Sequence, residues 1–188
     1  DLSGFRYAAG GAQEYYGVTP DVAVLGKIIG GGAPVGAVCG DEEILRYYEI
    51  RDDEHWNDYV RVKVGGTWNA QPLSIVGGIA TMKLIDKERE TIYPRLYEIG
   101  TRLVESFNEL ANDLGVTAHA YGLPPDDPTQ IKLKFFDRPV PPKHMRLFRT
   151  GPETFEDYET RQSYSAPEAE HAHFLAMSNN GIHALHRG

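Results

Sequence analysis

Asp21 to Gly40 reads DVAVLGKIIGGGAPVGAVCG, and the fold turns on this stretch. Val22 to Leu25 is a short apolar run of the kind a fully buried strand shows. Gly26 breaks it, and Lys27 follows. Ile28 and Ile29 lead into Gly30, Gly31, Gly32, Ala33 and Pro34, and Val35 to Cys39 is a second apolar run, read as a second strand. A single lysine thus stands at the end of a strand, beside a turn of three glycines. Packed among apolar groups, an amine is held in its free form more readily and can attack a carbonyl to give a Schiff base. Neighbouring glycines let backbone approach a bulky ligand. The plainer alternative is a lysine that snorkels from a strand end to water.

Outward from this stretch the wording continues. Gly4-Phe5-Arg6 is followed by GGAQEYYGVTPD, which starts at Gly10, then by LGKIIGGG and Pro34-Val35-Gly36-Ala37. In that order these segments resemble the class III aminotransferases, pyridoxal-phosphate (PLP) enzymes of fold type I, most nearly their glutamate-1-semialdehyde 2,1-aminomutase branch. The resemblance implies an α/β chain holding the C-terminal part of the large PLP-binding domain over 1–89. A connecting helix and part of a small α+β domain would follow over 90–188. It implies that Lys27 carries pyridoxal 5′-phosphate and moves the proton between substrate Cα and cofactor C4′.

Gly66-Thr67, a few residues before Pro72, matches the family's phosphate-contacting Gly-Thr, which reaches the partner's cofactor across a dimer interface. Gln71 stands where the family usually has Asn. A homodimer with shared active sites is therefore implied, acting on a small amino-acid or amino-ketone substrate. The family's pyridine-binding aspartate lies two places before the position of Asp1, so Asp1 is not assigned that role. Family members are longer, and the chain opens without Met, so it is read as a fragment.

The wording leaves several functions open. An aminomutase returns the amino group to the adjacent carbon of one molecule, whereas a β-amino-acid or biosynthetic-pathway transaminase passes it to a second. A non-catalytic scaffold is the remaining rival, and retention of Lys27, Gly66 and Thr67 argues against it.

The bulk properties bound the rest. The chain has 188 residues, 41% hydrophobic and 24% charged, as ordinary globular proteins do. A formal net charge of −8 speaks against nonspecific nucleic-acid binding. No apolar run approaches membrane-spanning length. The single cysteine, Cys39, excludes an intrachain disulfide, is read as a small core residue, and fits a cytoplasmic setting. No metal site is expected: His171 and His173 lie two apart on a predicted helix, and His183 and His186 have no carboxylate or Cys beside them.

Along the chain, Asp1 to Arg6 is expected to leave a strand, and Gln13 to Tyr16 to form a helical turn closed by Gly17. Tyr15 and Tyr16 are read as packing residues. Asp41 is placed as the cap of a helix over Glu42 to Leu45. Arg46 to Lys63 reads as irregular. Helices are expected from Pro72 to Leu84, from Glu90 to Leu114 with Gly115 as the stop, and from Pro167 to Asn179. Ile131 to Phe135 and Ile182 to Leu185 read as strands, and Glu153 to Glu159 as a solvated acidic face.

Overall fold

The computed structural model describes residues 1–123, 128–141, 143–144 and 155–180, with side chains from 159 onward in the last stretch. The backbone divides into two compact units, Asp1–Pro94 and a second that begins at Arg95.

In the first unit, a 3₁₀ turn over Gly4–Arg6 precedes helix α1, Gly11–Tyr16. The expected strand exit at Asp1 to Arg6 is thus a tight turn. Gly17 closes α1 at φ 66, donating its N–H to Gln13 and Glu14 carbonyls. Strands β1, Val22–Gly26, and β2, Gly36–Gly40, pair antiparallel from Val22↔Gly40 to Gly26↔Gly36. They form a hairpin whose connection carries Lys27.

The run at Val22 to Leu25 is not buried as expected. Burial alternates along β1, and Val22, Val24 and Val38 are exposed, because this sheet has two strands and one of its faces has no cover among the described residues. Cys39 is likewise exposed, not a core residue: apolar neighbours along an edge strand do not bury it.

Helix α2, Glu42–Leu45, is capped by Asp41, whose Oδ1 accepts from Glu43 N at 2.7 Å. The irregular stretch after it closes on itself. Arg51 stacks on Trp56 with its guanidinium carbon 3.6 Å from the ring centre, and Asn57 exchanges two hydrogen bonds with the Arg51 backbone.

Helix α3, Pro72–Asp113, joins the two helices expected separately. Glu88 alone leaves helical geometry, at φ −108 and ψ 16, so the break read from the sequence is a kink and not a gap. Gln71 caps the start by accepting from Ser74 N through Oε1 at 2.6 Å.

In the second unit, β3, Ala118–Leu123, pairs antiparallel with β4, Gln130–Phe135. The sequence did not reveal β3. Helices α4, Phe155–Gln162, and α5, Pro167–Asn179, follow. Tyr121, Phe136 and Tyr164 form the core here, with Val140 packed against them. Burial holds the Tyr121 phenol above its ordinary value. The Arg161 charge and its 3.0 Å hydrogen bond partly oppose that shift, and Glu170 reinforces it. The strand expected at Ile182 to Leu185, His183 and His186, and residues 153–154 of the acidic stretch with the side chains of 155–158 all lie outside the described residues.

Candidate active site

The hairpin positions Lys27 from both sides. β1 ends at Gly26 in extended geometry, and Lys27 opens a 3₁₀ turn over Lys27–Gly30 with its own φ at 53. Few side-chain-bearing residues adopt that region, and for L-residues it costs roughly 1–2 kcal/mol. The turn is anchored beneath. Ile29 and Gly30 are buried, and Gly31 takes the left-handed conformation at φ 61. Gly31 lies so close to α3 that a Cβ there would stand 2.3 Å from Thr81 Oγ1 and 2.8 Å from the Gly77 carbonyl. On α3, a Cβ at Gly78 would meet the Ile29 carbonyl at 2.8 Å. Small residues on both sides thus lock the lysine turn onto the helix. Gly32, by contrast, faces open space.

Lys27 is exposed, not enclosed by apolar groups as the sequence suggested. Its buried neighbour Ile29 points the apolar content of the turn into the unit and leaves the amine outside. Lys27 Nζ donates to Ser3 Oγ. Sequence reading did not single out Ser3, although it immediately precedes the Gly4-Phe5-Arg6 segment. The pair is separated by 24 positions, beyond any local pattern.

Asp1 packs over Gly4 and Gly11. Its Oδ2 accepts from Gln13 N at 3.4 Å, while Oδ1 is buried with no hydrogen-bond partner among the described residues. Gly66 and Thr67 lie in a separate exposed turn, where Asn69 N donates to the Gly66 carbonyl at 3.0 Å. No hydrogen bond among the described residues joins that turn to Lys27. No group of three or more His, Cys, Asp or Glu gathers among the described residues.

Residues 3–119 match the model of the family described as Aminotransferase class-III. The chain belongs to the class-III aminotransferases. A glutamate-1-semialdehyde 2,1-aminomutase of Methanocaldococcus jannaschii is 38% identical over 139 residues, 74% of this chain and 29% of that protein. An omega-transaminase from Sphaerobacter thermophilus superposes with a TM-score of 0.57 at 30% identity, over 83% of this chain and 32% of its own. A transaminase solved with PLP bound reaches a TM-score of 0.64 at 20% identity, covering 97% of this chain and 35% of that one. That last likeness speaks for the fold alone, and it bears out the expected α/β fold of type I PLP enzymes. This class-III chain spans about a third of the length of the relatives it matches.

The residues present suit one end of such a cofactor. Lys27, an exposed amine with the Ser3 hydroxyl beside it, could hold the cofactor's aldehyde. The hydroxyl and N–H groups of the Thr67 turn fit a phosphate. No helix among the described residues is long and apolar enough to cross a membrane.

Proposed function

We propose that this chain supplies the cofactor-bearing lysine of a PLP-dependent aminotransferase or aminomutase, closest in activity to glutamate-1-semialdehyde 2,1-aminomutase. The observation that carries the reading is Lys27 itself. An exposed amine sits at the end of β1 on a left-handed backbone, inside the stretch that matches the family. When bound, pyridoxal phosphate supplies an electron sink for negative charge developing at the substrate Cα. Lys27 Nζ takes the proton from that carbon and returns it elsewhere, as general base and then acid. The glycine turn beneath keeps the amine at a fixed place while this happens.

Gly66 and Thr67 serve the phosphate of a partner subunit's cofactor. Their exposed turn, with no hydrogen bond to Lys27, supports that reading, and it makes the working unit a homodimer with shared sites. The substrate is a small amino acid or amino ketone, and the setting is cytoplasmic. Residues 1–89 then close the large cofactor-binding domain, and 90–188 open the small one.

An intermolecular transaminase is the second reading, favoured by the 30% identity to the omega-transaminase.

The test is the visible absorption of the full-length protein with added pyridoxal phosphate, followed by borohydride reduction and peptide mapping. The expected result is a yellow band fixed by borohydride onto Lys27, and its loss in Lys27→Ala. A well-folded protein without the band would overturn the reading.

A further inference from the structure

The Ser3–Lys27 contact is built by the backbone around it. The Asp1 backbone nitrogen donates to the Val24 carbonyl at 2.7 Å. Leu2 comes next, its Cδ2 only 2.9 Å from where a Cβ on Gly26 would stand. Ser3 follows, accepting from Lys27 Nζ. Residues 1, 2 and 3 thus run in step past 24, 26 and 27. The missing side chain at Gly26 is what lets Leu2 lie so close, and that closeness brings Ser3 beside Lys27.

A lysine head on a four-carbon stem is otherwise a loosely directed group. Here two independent features restrict it: the φ of 53 at its own backbone, and the Ser3 hydroxyl at its tip.

We propose that Ser3 is a positioning residue for the Lys27 amine. This rests on the reading of Lys27 as the cofactor-bearing lysine. A hydroxyl both accepts and donates, so Ser3 Oγ can partner the amine in its charged and its neutral form. Holding one N–H fixes the stem's rotamer and leaves the nitrogen lone pair free for attack. Lys27 Nζ then adds to an aldehyde carbon of the cofactor. The N–C bond forms, and the aldehyde oxygen leaves as water with the two protons the nitrogen gives up. When an amine substrate later releases Lys27, the same hydrogen bond orients Nζ towards the substrate Cα proton.

Two readouts test this in the full-length protein. In the first, apo-protein is mixed with pyridoxal phosphate, quenched with borohydride at timed intervals, and the labelled Lys27 peptide is counted by mass spectrometry. The second is steady-state kcat and KM. Ser3→Ala is expected to slow both capture and kcat roughly tenfold, the loss of one hydrogen bond to a reacting group, with KM unchanged. Ser3→Thr, which keeps the hydroxyl, restores both. Ser3→Cys, close to serine in shape but a weak acceptor, behaves as Ser3→Ala and guards against a folding artefact.

Capture by Ser3→Ala or Ser3→Cys at the wild-type rate would overturn the positioning role and leave Lys27's role intact. Wild-type protein that never labels at Lys27 would overturn both.

Discussion

Tyr121 is the residue whose ionisation the fold most clearly resists. Its phenol sits in the second unit's core and is held above the ordinary value of 10.0, chiefly by burial. The folded state therefore keeps this proton at pH values where the unfolded chain has lost it. That contribution is complete below about pH 10 and falls away as pH rises through the raised folded value. Denaturant unfolding from pH 8 to 11 should show stability declining above pH 10, and Tyr121→Phe should flatten the decline. An equal slope in the variant would assign the alkaline loss to other groups. The same residue scale explains why Ser3 escaped notice. A hydroxyl paired with an amine 24 positions away leaves no local signature, whereas a lysine followed by three glycines does.

Strand β3 shows what periodicity misses at the scale of elements. Its wording, AHAYGL, has no clean apolar alternation, and Gly122 weakens the strand propensity. What holds it is β4 on one edge and a side chain on the other. Asn108 on α3 donates through Nδ2 to the Ala120 carbonyl at 3.0 Å and accepts from Ala120 N at 2.7 Å through Oδ1. One amide thus stands in for a neighbouring strand at a residue with no solvent exposure. Asn108→Ala leaves both Ala120 groups buried without partners, at a cost of about 2–4 kcal/mol. Chemical denaturation should register that loss, and a change below about 0.5 kcal/mol would mean that water takes over both bonds.

Other elements were legible for physical reasons. Asp41 and Pro72 announce helix starts, Gly17 and Gly115 announce ends, and Pro167 to Asn179 matches α5 to the residue. The two strands were readable from two apolar runs around a glycine turn, but their antiparallel pairing was not. Nor was which of their residues face solvent, because that depends on what lies across the sheet.

For the molecule as a whole, the apolar surface is the telling quantity. Val22, Val24 and Val38 on the hairpin, and Leu73, Ile75, Val76 and Ile79 on α3, are exposed in this chain. Apolar side chains left uncovered in such number favour association. Expressed alone, the 188-residue chain should enhance anilinonaphthalene sulfonate fluorescence and self-associate as concentration rises. A folded, dye-silent monomer would show these faces to be covered from within. The reach of the chain explains the uneven legibility of the site. The amine end could be read from contiguous sequence, while the ring-nitrogen partner has no assigned residue in a chain spanning about a third of its relatives.

The left-handed backbone of Lys27 also bears on inheritance. Glycine or asparagine would sit at that φ with less strain, so a single codon change could make the chain easier to fold. A lineage with no further use for the amine would drift toward such replacements under pressure for foldability alone. A lysine at so uncomfortable an address finds its reason in its side chain and not in the fold, which would be easier to build without it.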